Sequence, residues 1–164
     1  MQGELRVVVN EGYQFAIRYG TGPACDGAGS TFCRGRIPVT LDFAAGFGAL
    51  DWLEVEARFR LGVEQTYGFQ LSNGPGSALP MAAGVGVRIY GSETSRLKFA
   101  FGVAALLDFT TGQPLDVIAR LDEGLHYDVA RQFGFYLQIG ESISFLRALG
   151  FGIDGGFGIQ GRFP

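Results

Sequence analysis

The sequence has little lysine, little histidine and no long apolar run. Its 164 residues include 13 Lys and Arg side chains against 16 Asp and Glu side chains, a formal net charge of −3. The arginines are spread along the chain rather than gathered in one patch, so the basic footprint typical of nucleic-acid-binding proteins is missing. No stretch approaches the roughly 18 consecutive apolar residues of a transmembrane helix. We therefore expect no nucleic-acid partner and no membrane-spanning helix.

Cysteine is also scarce. The two cysteines, Cys25 and Cys33, enclose a segment rich in glycine, and the single histidine, His126, lies far along the chain. These are too few ligands for a zinc site, so we expect no metal and no cofactor. We predict instead that Cys25 and Cys33 form a disulfide that pins a loop. Such a bond is typical of an oxidising compartment such as the periplasm or the cell surface.

Glycine and phenylalanine, by contrast, are abundant, with 27 and 15 residues. A hydrophobic content of 47% argues against a disordered low-complexity chain. The clearest pattern runs over residues 52–64, where every second side chain is apolar and those between are charged or glycine. A period of two is that of a β-strand, whose successive side chains point to opposite faces.

The same alternation recurs along the whole chain, with the apolar side chains on odd-numbered residues. Strands are predicted over residues 4–20, 37–48, 53–64, 81–90, 97–109, 117–129, 133–145 and 151–163. Three connections are tight turns, at 50–52, 91–95 and 130–132, whereas the first two on the opposite side are longer. This asymmetry is typical of barrels with short periplasmic turns and longer outer loops. The sequence predicts one domain, 1–164, of up-and-down antiparallel strands.

Side-chain volume favours a membrane barrel over a soluble carrier of the lipocalin type. An eight-stranded barrel has an interior just wide enough for side chains or one small ligand. The odd-numbered set holds most of the phenylalanines and many Leu, Ile and Val residues, which do not fit inside, whereas the small and polar even-numbered set does. Turned outward, the large residues form a lipid-facing band with aromatic residues near the strand ends. We predict a closed, all-β, eight-stranded transmembrane barrel with a polar lumen.

This architecture resembles the small outer-membrane β-barrels of Gram-negative bacteria, of the OmpX and OmpA membrane-domain type. The last strand, 157–163, is similar to their C-terminal insertion signal, in which alternating apolar residues end on an aromatic, although Pro164 follows here. The resemblance covers the whole chain in pattern and identifies no single family. It implies a monomer in the bacterial outer membrane, surrounded by outer-membrane lipid. Strand pattern follows Met1 without an export signal, so export is inferred from the fold.

Charged even-numbered residues predict a lumen plugged by ion pairs. Pairing the second and third strands about the turn at 50–52 places Asp42 opposite Arg60. Buried charges persist when they are paired, and a wide water channel needs about twice as many strands. We therefore expect a non-catalytic surface anchor or interaction module; a narrow conduit for small or hydrophobic molecules is the alternative. The remaining members of the predicted network are Glu54, Glu56, Arg58, Arg120 and Asp122.

His126 is the one candidate for a catalytic base. It is predicted to face Tyr136, which in turn faces Gln160 if Phe145 pairs with Phe151, and this surrounding favours a structural hydrogen-bond network. His126, Asp128 and Glu141 resemble the His-x-Ser plus Glu arrangement of outer-membrane lipid A deacylases. Asp128 stands at the serine position, however, and a carboxylate there does not serve as a serine-type nucleophile.

Three glutamates, Glu11, Glu123 and Glu141, interrupt the apolar odd-numbered face, and each lies beside a glycine. A charge facing lipid is costly near the bilayer midplane. Either the strands extend past the membrane, or β-bulges turn the carboxylates inward, or the glutamates and Gly155 form a docking notch for a membrane or surface protein or a lipid headgroup. The predicted pairing sets Glu141 opposite Gly155, with Glu123 as its diagonal neighbour.

Overall fold

A computed structural model describes residues 3–17, 32–50, 52–63, 79–91, 95–111, 114–146 and 149–163. The chain folds as a closed barrel of eight antiparallel strands, each paired with its neighbours in sequence, and β1 pairs with β8. The predicted all-β, up-and-down fold is confirmed. The strands are β1 (Gly3–Ile17), β2 (Phe32–Leu50), β3 (Leu53–Gly62), β4 (Met81–Tyr90), β5 (Leu97–Asp108), β6 (Asp116–Ala130), β7 (Phe133–Ser144) and β8 (Leu149–Phe163). The described residues include no helix long and apolar enough to cross a membrane.

The two ends of the barrel differ in their connections. The start of β1, the end of β8 and the short connections β2–β3, β4–β5 and β6–β7 lie at one end, which we call the turn end. The other four connections lie at the opposite end, the loop end, and the two longest cover residues 18–31 and 63–80. The predicted asymmetry of the connections is present.

The strand faces follow the predicted parity along almost the whole barrel. In β8 each odd-numbered residue from Phe151 to Ile159 is exposed on the outer wall and each even-numbered residue between them is buried. The same alternation places the large apolar side chains of the other strands on the exterior. An outer surface this apolar is a lipid-facing surface, since soluble monomers rarely expose contiguous apolar patches of such extent.

A bulge in β2 interrupts this parity. The pairing of β1 with β2 shifts between Asn10 and Gly12, so that Pro38 and Val39 together stand against one residue of β1. An extra residue reverses the alternation. As a result Ile37, predicted on the outer face, is only 8% exposed and faces the lumen. β2 also begins at Phe32, earlier than predicted, because the reversed alternation hid its first residues.

The pairing of β7 with β8 differs from the prediction. Ile143, not Phe145, pairs with Phe151. The cause lies at the start of β6, where the Asp116 carboxylate accepts hydrogen bonds from the backbone N–H groups of Phe145 (3.3 Å) and Leu146 (2.8 Å). Because these two N–H groups bond to a side chain of β6, the pairing of β7 ends at Ser144.

This register moves two predicted neighbours. Tyr136 stands opposite Gly158 rather than Gln160, and Glu141 stands opposite Ile153 rather than Gly155. Because the shift is an even number of residues, the faces of both strands are unchanged.

Candidate functional site: the polar lumen

The lumen is filled by charged and polar side chains. Few apolar side chains are buried there, and most of them are small, such as Ala100 and Ala104. The polar set comes from seven of the eight strands: Glu4, Arg6, Asn10, Thr40, Glu54, Glu56, Arg88, Asp116, Arg120, Asp122, His126, Gln138, Asp154 and Gln160 are all buried. Groups of this kind are buried at acceptable cost only when they are paired.

The predicted pair of Asp42 and Arg60 is present. The two residues are direct register partners on β2 and β3. The Arg60 guanidinium donates from Nε and Nη2 to the two oxygens of Asp42, each at 2.6 Å. Nη2 of Arg60 also lies 3.8 Å from Oδ2 of Asp154 on β8. This fork geometry is the strongest form of carboxylate recognition by arginine.

A second bidentate pair joins β6 to β8 across β7. Arg120 donates from Nη1 and Nη2 to the two oxygens of Asp154, each at 2.6 Å, and both side chains are fully buried. The residue between them on β7 is Gly140. A Cβ atom at Gly140 would lie 1.9 Å from Nη2 of Arg120, so the pair needs a glycine at this position.

Ion pairs continue from β6 to the opposite wall. Nε of Arg120 lies 2.7 Å from Oδ1 of Asp122. Arg58 on β3 forms ion pairs with both Asp122 and Glu56, and Arg6 on β1 also pairs with Glu56. The lumen is therefore crossed by charges of alternating sign from β6 to β3 and from β3 to β1.

The same alternation continues to the turn end. Glu4 lies 3.2 Å from both Arg6 and Arg162. Arg162 lies 3.1 Å from Asp128, which Lys98 also contacts at 3.1 Å. One continuous network thus runs along the lumen of the described barrel.

Aromatic rings fill the space between these charges. The guanidinium carbons of Arg6 and Arg88 lie 5.4 and 4.8 Å from the centre of the Tyr136 ring, within cation–π range. His126 is the register partner of Tyr136, as predicted, and their ring centres are 6.3 Å apart. Nε2 of His126 lies 3.0 Å from Oδ1 of Asp128. His126 is fully buried among charged and aromatic neighbours.

Six of the seven predicted network residues form ion pairs in the structure, and Glu54 accepts a hydrogen bond from the Tyr90 hydroxyl at 3.1 Å. Seven charged members of the network were not in the predicted set, although their even numbers placed them on the lumen face. They are Glu4, Arg6, Arg88, Lys98, Asp128, Asp154 and Arg162.

The three exceptional glutamates all face outward, so of the three alternatives the one in which bulges turn them into the lumen is wrong. Glu11 lies beside the bulge, but its Oε1 accepts a hydrogen bond from Nε of Arg36 at 2.7 Å on the outer wall. The bulge is what brings Arg36 to that face. Glu11, not Glu141, is the register partner of Gly155.

Glu123 and Glu141 are diagonal neighbours, as predicted. Glu123 pairs with Ile139, and Glu141 pairs with Leu121, near the middle of β6 and β7. Ile139 pairs in turn with Gly155, whose position would leave an added Cβ without neighbours within 4 Å. The predicted notch residues therefore share one sector of the outer wall, although the pairings within it differ from those predicted.

Glu141 lies on the outer face and His126 in the lumen, so the arrangement similar to lipid A deacylases is not assembled here. The described residues contain no group of three or more His, Cys, Asp or Glu that would hold a metal ion. The predicted disulfide falls outside the described residues, because Cys25 lies in 18–31 and only the backbone of Cys33 is described. The described residues contain no disulfide bond, so the structure does not support this prediction.

No protein-family model matches the sequence, and no curated protein matches it. Among solved structures, Neisserial surface protein A is similar with a TM-score of 0.64 and 12% identity over 97% of both chains. Ail, the attachment invasion locus protein of Yersinia pestis, has a TM-score of 0.48 and 11% identity over 99% of this chain and 100% of its own. A loop-deletion mutant of OmpT, an outer-membrane protein of Vibrio cholerae, has a TM-score of 0.36 and 12% identity over 96% of this chain and 49% of its own.

The fold is thus that of small bacterial outer-membrane barrels. The apolar exterior and the filled polar lumen are the physical requirements of that setting. The chain is an outer-membrane β-barrel protein.

Proposed function

We propose that this protein is a closed, non-conducting and non-catalytic barrel that acts as a surface anchor or interaction module. The observation that carries the proposal is the ion-pair network of the lumen. Its pairs cross the lumen between strands that are not neighbours, such as Arg58 with Asp122 and Arg120 with Asp154. Water and ions would have to displace these buried charges to pass, which is costly.

The loop end supplies the surface for interaction in this proposal. It carries the long connections over 18–31 and 63–80, whereas the turn end has short ones. Long loops on the outer side of such barrels are the segments that reach the cell surface. A membrane or surface protein is the expected partner, with outer-membrane lipid around a monomeric barrel.

Single-channel recording of the refolded protein in a planar lipid bilayer tests the closed lumen. We expect no steady conductance from the wild-type protein. Val85→Ala, which changes a side chain on the outer wall, is the matched control. A leak that is caused only by loss of stability should appear in this variant as well. Steady wild-type conductance that Arg60→Ala or Arg120→Ala abolishes would contradict the proposal and favour the alternative, a narrow conduit.

The non-catalytic part of the proposal rests on the surroundings of His126. The nearest carboxylate, that of Asp128, forms ion pairs with Lys98 and Arg162. Glu141, which resembles the glutamate of the lipid A deacylases, lies on the outer face of the wall. We expect mass spectra of lipid A from cells that produce the protein to match those from cells without it. Loss of an acyl chain in the producing cells would refute this.

A further inference from the structure

Two arginines lie on the outer wall at the loop end of β2. Arg34 and Arg36 are both exposed, and their register partners on β1 are Phe15 and Tyr13 of the outer face. The bulge in β2 places them there, because its extra residue reverses the alternation that turns even-numbered side chains into the lumen elsewhere.

No other described strand carries a basic residue on the outer wall at this end. The exposed outer-face side chains of those strands near the loop end are apolar, and they include Val63, Phe109, Leu115 and Phe145. The two arginines are therefore a feature of one sector of the wall and not part of a ring around the barrel.

The register gives the depth of these side chains in the membrane. Phe47, an exposed aromatic residue near the turn end of β2, marks one membrane interface. Its register partner on β1 is Gly3, and that of Arg36 is Tyr13, ten residues further along. Ten residues of a strand tilted by about 40° rise about 25 Å, the height of the apolar band of such barrels. Arg36 therefore lies at the opposite interface, and Arg34 lies beyond it at the level of the lipid headgroups.

The sector keeps a net positive charge. Nε of Arg36 donates to Oε1 of Glu11 at 2.7 Å, yet the Arg36 side chain is still 49% exposed. Arg34 forms no ion pair with the described part of the chain. Two guanidinium groups and one carboxylate leave one positive charge at headgroup depth.

Apolar side chains adjoin the two arginines on the same face. The rings of Phe15 and Phe32 stack beside Arg34, with their centres 6.2 Å apart. Tyr13, the register partner of Arg36, is 68% exposed, and it pairs in turn with Ile153 of β8. A molecule bound here thus meets positive charge at the headgroup level and an apolar wall below it.

From these features we infer that Arg34 and Arg36 bind a phosphate group of lipid A, the phosphorylated and acylated sugar of the outer leaflet. Guanidinium groups recognise phosphate through paired N–H donors, and the acyl chains pack against Tyr13 and Ile153. The inference rests on the outward-facing loop end of the proposed function but not on the closed lumen, so this experiment and the conductance experiment fail independently.

Native mass spectrometry of the full chain in micelles, titrated with bisphosphoryl lipid A, counts the bound lipid molecules and gives a dissociation constant. Lipid A from which both phosphates have been removed is the matched probe. We expect saturable binding of one bisphosphoryl lipid A and weaker binding of the dephosphorylated form.

Arg34→Gln should weaken binding of bisphosphoryl lipid A about fivefold, the contribution of one arginine near an anionic membrane surface. Arg36→Gln should weaken it less, because Glu11 already neutralises part of that charge. The double variant should bind both forms of lipid A equally. Arg131→Gln, which removes an exposed arginine at the turn end, is the matched control and should bind as the wild type does.

Arg34→Lys keeps the charge, so it should bind more tightly than Arg34→Gln, and an unchanged circular dichroism spectrum shows that each variant is folded. Equal weakening by Arg131→Gln and Arg34→Gln would reveal general charge attraction and overturn the inference. Equal binding of the two forms of lipid A by the wild type would overturn it too. Unchanged binding by the double variant would leave the arginines to an acidic protein partner, and the inference would again be wrong.

Discussion

The pair formed by Arg120 and Asp154 is the most deeply buried bidentate contact in the described lumen, since neither side chain reaches solvent. We predict that Asp154→Ala lowers the free energy of unfolding in micelles by about 3–5 kcal/mol, because the buried Arg120 guanidinium loses its bidentate partner and keeps only Asp122, which it shares with Arg58. Urea titration followed by circular dichroism measures this change.

A double variant separates the loss of the pair from the cost of an orphaned charge. Arg120→Leu combined with Asp154→Leu removes both charges, so it should recover much of the stability lost in Asp154→Ala. A double variant less stable than Asp154→Ala would contradict the assignment of the loss to an unpaired charge.

The outward glutamates lead to the opposite prediction. Glu123 and Glu141 are exposed to lipid near the middle of their strands, and the residues two positions before and after each, on the same face, are leucine or isoleucine. Glu123→Leu and Glu141→Leu should each raise the free energy of unfolding by about 1–2 kcal/mol, since a carboxylate on the lipid face is destabilising and leucine is not.

Glu11→Leu is the informative comparison for these two variants. Glu11 is paired with Arg36 on the outer wall, so its removal takes a carboxylate partner away from that arginine. The gain should therefore be smaller than for the other two, or reversed. Equal gains for all three substitutions in urea titrations would show that the Arg36 pair contributes nothing.

At the scale of the strand, glycine has two different roles on the barrel wall. Gly140 of β7 leaves the space through which Arg120 reaches Asp154, whereas an added Cβ at Gly155 of β8 meets nothing. Gly140→Ala should therefore cost about 2–4 kcal/mol by breaking a buried pair, and Gly155→Ala should be neutral within about 0.5 kcal/mol. Thermal unfolding of the two alanine variants in the same detergent compares them, and similar melting temperatures would contradict the role given to Gly140.

Strand number, strand order and the face of most residues were predictable, because the period of two holds over nearly the whole chain. The first residues of β2 were not, because the bulge at Pro38 and Val39 reverses the alternation and made Arg34 and Arg36 look like loop. The β7–β8 register was missed because a carboxylate from another strand, that of Asp116, ends β7 early.

The kinds of residue that line the candidate site were predictable from the sequence, but only some of the contacts between them were. Asp42 and Arg60 lie on strands joined by a tight turn, so simple pairing arithmetic found them. The partner of Arg120 is two strands away, across a glycine that leaves room for a long side chain. Neighbouring-strand pairing contains no information about such contacts.

For the molecule as a whole, the single tryptophan is a natural depth marker. Trp52 lies at the β2–β3 turn and is exposed, and aromatic residues at strand ends occupy the membrane interface. Its fluorescence in vesicles should be quenched more by lipids brominated near the headgroup than by lipids brominated near the chain end. A Trp52→Phe variant that also carries Ile139→Trp should show the reverse order, and equal quenching of both would contradict a membrane-spanning wall.

The ion pairs of the lumen also have a consequence for how the barrel is assembled. They join β1 to β3, β3 to β6, β6 to β8 and β8 back to β1 through the pair of Glu4 with Arg162. An intermediate that lacks only β8 would hold Arg120 without Asp154, and Glu4 without Arg162, in a wall already surrounded by lipid. Stepwise insertion, strand after strand, is therefore disfavoured. The last strand must close the barrel and supply the counter-charges of Arg120 and Glu4 in the same step.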